Sequence, residues 1–367
     1  MKKTLALVLA LCMVFALAAC GGSSTTTQPA APAAPAAPAA PAAPAVSADD
    51  FADLDEIELV GADSSSKGAD AQLLGELIAA KVDEITGGKL TIDYHPNSEL
   101  GGDEDILRQT QNGDIALMVS QTAPLVSFIP EMAVFDLPMV FAKYDGATID
   151  EVLNGDNDFH SALAAAYEKV GFHLLGFLQN ATYRETTTNT ALRSLADFKG
   201  LQIRTMNNAN HMAFWSAIGA EPTPLAWPEV FQALQTGMLD AEENAAVTCV
   251  GANFQDVQKY FCMTNHILYC NQVMINDEIF KGLPEAYQAA LDQAVAEALA
   301  EIGANLQKSD EENIQKLVDG GMEQITYEAS FYDEILAVQG VQDLYTKIDG
   351  DTNGLGAKLQ AALEAAA

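Results

Sequence analysis

Apolar and polar positions change period several times along the chain, and each change marks an element. Residues 5–19 form one apolar run behind Lys2 and Lys3. At 15 residues it is too short to span a bilayer as a mature helix, and residues 1–19 read as a signal peptide. From near Glu56 the pattern gives a strand at IELVGA, a helix from about Ala69 to Ile85, the turn Gly87-Gly88 and a strand at LTIDYH. That is a β-α-β unit. A helix start follows at Asp103 and Asp105, then a third strand from Ile115. The apolar run VFDLPMVF, residues 134–141, is read as ending this sheet; a helical stretch over 147–169 leads to a strand at GFHLLGFL.

The second half begins with polar strand formers at YRETTTN, where Arg184 falls. Ile203 and Arg204 follow a Lys-Gly turn in a short alternating run, so Arg204 is expected to project from a strand end into a cleft. Asn210–Ile218 reads as a helix ended by Gly219. After a turn at Pro222 and Pro224, Pro228–Leu239 reads as a second helix with Trp227 at its entrance. LDAEEN is read as an acidic turn closing on Asn244. A helix and a returning strand come next, with His266 and Asn271 near a second crossing between the two halves. From Pro284 to about Leu317 the helical pattern hardly breaks, which corresponds to about 50 Å of helix. Gly303 is its weak spot, so the alternatives are one long helix or two with a kink there.

Composition changes the picture at the N-terminus. From Gly21 to Val46 the chain is small residues and Ala-Ala-Pro repeats with nothing to bury. Residues 20–50 therefore read as a disordered, extended tether, at about 3.1 Å per residue. Leu17-Ala18-Ala19-Cys20 resembles a bacterial lipobox, which makes Cys20 the lipidated first residue of the mature chain; a plain secretory signal with an incidental cysteine is the alternative. Cys249, Cys262 and Cys270 read as buried small side chains without a disulfide framework. With 51 acidic against 18 basic residues, the net charge of −33 argues against nucleic acid and anionic membrane surfaces as partners. A small anion is not excluded, because scattered surface charge is screened over about 8 Å.

Catalytic and metal signatures are missing. The five histidines read as isolated, and there is no HExxH, CxxC or Gly-x-Ser-x-Gly pattern, so neither an enzyme nor a cofactor or metal is expected. Gly61–Lys67 lacks the second glycine of a phosphate loop. Asp349–Gly354 matches the first half of a calcium loop, but its twelfth position is Gln360, and a solvated turn before the last helix is the preferred reading. The chemistry that remains is Arg204, whose planar fork matches a carboxylate, with the Trp227 indole as an apolar wall. The bland alternatives are a surface ion pair for Arg204, a solvated edge strand for Arg184 and helix capping for Asp103.

The ordered motifs KGLQIR, GAEPTPLAWPEVFQALQTG, LDAEEN and VQKYFCMTNHIL resemble the extracytoplasmic substrate-binding subunits of TRAP transporters, the DctP-like family, and most of all its sialic-acid-binding branch. The likeness runs from about Glu58 to the C-terminal region and is densest between Arg184 and Asn271. It implies an α/β, two-lobe periplasmic-binding-protein-like fold with crossing strands, a hinge and a long C-terminal helix spanning both lobes. Lobe I would comprise residues 56–181 plus 270–309, and lobe II residues 182–269 plus 310–363. The resemblance makes Arg204 the two-point partner of a ligand carboxylate and Arg184 the second basic residue of the cleft. Asn244 and Asn207 would supply polar contacts and Trp227 a wall, with Ser64, Asp103 and Gln121 facing them from lobe I and Asn271 at the crossing.

The implied protein is a monomeric receptor, lipid-anchored on the outer face of the cell membrane or periplasmic, that passes a small organic acid to integral membrane TRAP subunits. Several positions depart from the sialic-acid branch: Trp227 stands for its usual phenylalanine, Gln121 for an acid, and Ala241 and Ala245 for the Gly and Pro beside the acidic-Asn segment. Uronates, aldonates and dicarboxylates therefore stay open as ligands. An ABC-type solute-binding lipoprotein would share two lobes but lack the long C-terminal helix, and a non-transport surface lipoprotein would need no arginine cleft.

Overall fold

The computed structural model of the chain describes residues 47–367. The predicted leader, Cys20 and the Ala/Pro-rich segment up to residue 46 lie outside the described residues. Folded chain starts before Glu56, and the boundary expected there is corrected: Ser47 donates through its backbone N–H and hydroxyl to Asp50, and Phe51 is buried against Tyr287 with ring centroids 5.7 Å apart. One aromatic side chain suffices to pin this segment, because it brings a large apolar area to the core.

Among the described residues eleven strands follow in chain order. They are β1 (Ile57–Ala62), β2 (Leu90–His95), β3 (Leu117–Gln121), β4 (Phe172–Leu178), β5 (Tyr183–Thr188) and β6 (Gln202–Thr205). The remainder are β7 (Glu221–Pro224), β8 (Ala241–Asn244), β9 (Tyr260–Leu268), β10 (Asn271–Asn276) and β11 (Glu323–Ile325). Two mixed sheets result, ordered β2-β1-β3-β10-β4 and β11-β9-β5-β8-β6-β7. In the first, β1 runs parallel to β2 and β3 while β10 is antiparallel to β3 and β4. In the second, β6 is parallel to β7 and β8, and β5 is antiparallel to β8 and β9.

Helices cover the sheets by the expected periodicity. The helix Asp70–Thr86 buries Leu74, Ile78 and Val82, and the helix Glu285–Gly303 buries Leu291, Ala294, Val295 and Ala298 in the same cluster over the first sheet. Spacing of three and four residues puts each set on one helical face, and each fully buried aliphatic side chain contributes roughly 1.5–3 kcal/mol. The alanines let the two helices approach closely.

Chain passes between the sheets at two adjacent places, β4 to β5 and β9 to β10. The crossings are tied together, since Tyr269 N–H donates to the Thr182 carbonyl at 2.8 Å and Asn271 pairs with both Gln121 and Leu178. The helical path 285–319 makes a third passage, and of the two sequence alternatives the divided one is found. One helix ends at Gly303 and the next runs Leu306–Asp319. Asn305 caps the second helix at φ −110°, and the Asn180 side chain donates to the Gly303 carbonyl at 2.9 Å. The first segment packs on the first sheet, and the second puts Leu317 into a cluster with Val230, Leu234 and Phe261 of the other half.

Two further expectations are corrected, at VFDLPMVF and at the Pro222/Pro224 segment. VFDLPMVF is not a strand: Pro130–Asp136 forms 3-10 turns, and Val134–Phe141 is buried throughout. Prolines at 130 and 138 block a regular ladder, so apolar content here signals burial without a β period. The Pro222/Pro224 segment is not only a turn but the edge strand β7, the one place in a sheet where missing N–H donors are tolerated. Asp349–Gly354 is the joint between the helices Gln339–Asp351 and Leu355–Ala366. There Asp349 accepts from Ala357 N–H at 2.8 Å and Asp351 pairs with Lys347, while Asn353 and Gly354 turn the chain at φ 53° and 83°.

Candidate functional site

The acidic segment at 241–244 is the largest correction and the centre of the site. It is not a turn but strand β8, placed between β5 and β6, and all four residues are buried. Adjacent glutamates in a strand point to opposite faces. Glu243 therefore meets one set of partners and Glu242 another.

On the face of Glu243, Arg184 from β5 donates Nε to Oε2 at 2.6 Å and Nη2 to Oε1 at 3.1 Å and to the Glu243 carbonyl at 2.7 Å. Its Nη1 donates to Gln121. His266 Nε2 reaches the same carboxylate at 3.0 Å and His211 Nδ1 at 3.4 Å. His211 Nε2 lies 3.0 Å from Asp136, whose other oxygen accepts from Asn208 at 2.9 Å and Asn210 at 3.0 Å. Two of the five histidines read as isolated in the sequence, His211 and His266, thus converge on one carboxylate.

Burial opposes every charge in this network, and the pairings decide the outcome. Arg184 and the two imidazoles outweigh burial and hold Glu243 well below the usual carboxylate range. Burial likewise works against Arg184, yet Glu243 raises it. His211, set between two carboxylates, is lifted to about 9 despite its burial. His266 is lowered by burial and stays neutral, donating to Glu243 while its Nδ1 accepts from Thr264 at 3.0 Å. Arg184 and Glu243 together carry no net charge.

Arg204 is different. It projects from β6, is 3% exposed, and uses Nε and Nη2 on the Leu225 carbonyl at 2.9 and 2.8 Å. Its guanidinium carbon lies 5.5 Å from the centre of the Trp227 ring, and Trp227 is held edge-on by Phe254. Among the described residues no carboxylate pairs with it within 4.0 Å and nothing accepts from Nη1. Burial lowers its affinity for the proton, and Glu242 and Glu243 only partly restore it. An arginine so anchored is a fixed cation with one edge left over.

That edge borders a cavity of about 40 Å³ between the sheets. Ser64, Asp103, Gln121 and Asn271 line one side, and Arg204, Trp227 and Asn244 the other, so seven predicted residues meet here. Ser64 donates to Asp103, whose carboxyl burial pushes upward while that hydroxyl pulls it back. Among the described residues Asn271 Oδ1 is buried without a partner, a free acceptor at the cavity wall. The cavity shares Asp103, Arg204, Met206 and Trp227 with an outer cleft of about 490 Å³. Asn207 lines only this outer cleft and donates to Glu104 at 2.9 Å across its mouth. Arg184 lines neither space.

Comparison with known proteins places the chain in a family. Residues 60–347 match the family model of the bacterial extracellular solute-binding proteins, family 7, called DctP. The 2,3-diketo-L-gulonate-binding periplasmic protein of Escherichia coli is 31% identical over 280 residues, 74% of this chain and 83% of its own length. A TRAP periplasmic solute-binding protein from a Polaromonas species, solved bound to D-erythronate, is 25% identical with a TM-score of 0.76, covering 84% of this chain and 99% of that one. The sugar acid binding protein of Advenella mimigardefordensis, solved with galactonate, shares the fold at a TM-score of 0.79 and 21% identity over 86% of this chain and all of its own. The chain belongs to the family 7 solute-binding proteins.

Proposed function

We propose that this family 7 solute-binding protein is the extracytoplasmic receptor of a TRAP-type transporter and binds a small organic acid, which it passes to integral membrane subunits. The observation that carries the reading is the contrast between the two buried arginines: Arg184 is neutralised by Glu243, and Arg204 is the unneutralised cation at the cavity wall. An acid carboxylate would lie against the Nη1/Nη2 edge of Arg204, with Trp227 beside it. Its remaining polar groups would meet Asn244, Gln121, Asn271 and the Ser64–Asp103 pair, a lining suited to hydroxyls. Arg184 would act by holding Glu243 and Gln121 in place. Relatives that bind 2,3-diketo-L-gulonate and D-erythronate support a hydroxylated acid.

Opening would occur about the paired crossings at 178–183 and 268–271, leaving each sheet intact. The receptor would act as a monomer without catalysis or cofactor, exported by residues 1–19 and held to the outer face of the membrane through lipidated Cys20 and its tether. Among the described residues no helix is long and apolar enough to cross a membrane. A thermal-shift screen against sugar acids, uronates and dicarboxylates tests the reading: a ligand at 100 times its Kd adds about 2.7 kcal/mol of stability. No shift with any acid would overturn it.

A further inference from the structure

Glu242 is the other acid of the buried strand. It is fully buried in β8, in register with Arg204 on β6 and with Thr187 on β5, so its carboxyl shares a sheet face with the arginine of the cavity. Its neighbour Glu243 has an arginine and two histidines, whereas Glu242 has no ion-pair partner within 4.0 Å among the described residues. Oε1 accepts only long contacts, from Thr187 Oγ1 at 3.4 Å and Cys249 Sγ at 3.5 Å, and Oε2 has no partner. A buried carboxylate so poorly satisfied is costly, and a proton removes most of that cost.

Arg204 faces Glu242 from β6, Thr187 from β5 and Cys249 from the helix Ala246–Gly251; Glu243 follows it in β8, and Arg184 acts from the other face. Cys249 stays a thiol, since burial and Glu242 both raise it. Burial pushes Glu242 up to about 7 against the pull of Arg204. That pull is what a ligand would consume. A carboxylate seated on Arg204 cancels the field of the guanidinium and adds a second negative charge on the same side of the sheet.

We infer that Glu242 takes up a proton when an organic anion settles on Arg204, so that the receptor binds its ligand as an anion–proton pair. The inference rests on the assignment of Arg204 as carboxylate anchor. The proton comes from solvent and goes to a Glu242 carboxylate oxygen; the ligand stays ionised and no other bond changes. Linkage then runs both ways: the proton favours the anion and the anion favours the proton. Affinity is full below pH 7 and falls as the pH rises above it, because binding at high pH must either forgo the proton or draw it from a dilute pool. Asp103, on the opposite cavity wall and also raised by burial, is the rival source of such a slope.

The experiment is titration calorimetry with D-erythronate, galactonate, glucuronate and succinate at pH 6, 7.5 and 8.5, in phosphate and in Tris to read proton uptake from the buffer heat. Wild type should take up about half a proton per ligand near pH 7.5 and bind about five- to tenfold more weakly at pH 8.5 than at pH 6. Glu242→Gln should bind without proton uptake and with a flat profile, and Asp103→Asn should keep the slope. Binding by wild type without proton uptake, a slope retained in Glu242→Gln, or a slope lost in Asp103→Asn would overturn the inference and leave the receptor reading standing. No binding by any acid at any pH would overturn the receptor reading, and this inference with it.

Discussion

Arg184 and Glu243 face each other as a two-point pair inside the protein, Nε to Oε2 at 2.6 Å and Nη2 to Oε1 at 3.1 Å, with neither side chain reaching solvent. Removing one member of such a pair strands the other charge in a medium that cannot solvate it. Glu243→Gln should therefore cost about 3–5 kcal/mol of folding stability. Urea denaturation checks this, and a loss of less than about 1 kcal/mol would mean that the pair contributes no more than a surface contact does.

His211 gives a pH signature. Its folded pKa of about 9 stands above an unfolded value of about 6.5. The stability it contributes is thus fully present below pH 6.5 and is lost as the pH rises through 9, up to about 3 kcal/mol. Glu242 also loses stability as pH rises, over the lower range toward its own value of about 7, so the useful quantity is the difference between wild type and His211→Gln. That difference should shrink between pH 6 and pH 9.5 in denaturant melts; a constant difference would contradict a charged His211.

Much of this was readable beforehand, and the failures have physical causes. Arg204 was legible because a Lys-Gly turn and an alternating Ile203-Arg204 pair announce a strand end, and the family motifs brought seven cavity residues together. Glu242 and Glu243 were not, since two adjacent acids ordinarily mark a solvated turn. Arg184, His211 and His266 make the burial of Glu243 tolerable, and all three come from other elements, 59, 32 and 23 residues away in the chain. Polar residues on both sides of YRETTTN were the available hint that its partner strand would carry charge. The break after Gly303 was visible as a weak spot, but the Asn180 contact that fixes it was not.

Asn207 and Glu104 join the two walls of the outer cleft by one exposed hydrogen bond. A latch of this kind affects how long a ligand stays more than how it arrives. Asn207→Ala should raise the ligand dissociation rate about two- to tenfold, measured by stopped-flow competition, with the melting temperature of the empty protein unchanged. An unaltered dissociation rate would remove the latch from the account.

Membrane attachment is proposed to rest on a single residue, Cys20, outside the described part of the chain. Cys20→Ser should move the protein from the membrane fraction to the soluble extracytoplasmic fraction, because one lipid-modified residue is the membrane-seeking element proposed for the processed chain. Fractionation that still finds the variant on membranes would refute the anchor.

Arg204 is proposed to hold the ligand carboxylate through a planar edge that lysine cannot offer. Each hydrogen bond to a charged group contributes roughly 1.5–3 kcal/mol, so losing the fork should weaken binding by about ten- to a thousandfold. Titration calorimetry of Arg204→Lys against wild type, with the acid that gives the largest thermal shift, is the direct measurement. The account predicts that loss of affinity in a variant whose melting temperature without ligand stays close to wild type; affinity near the wild-type value in such a folded variant would place the carboxylate elsewhere and contradict it.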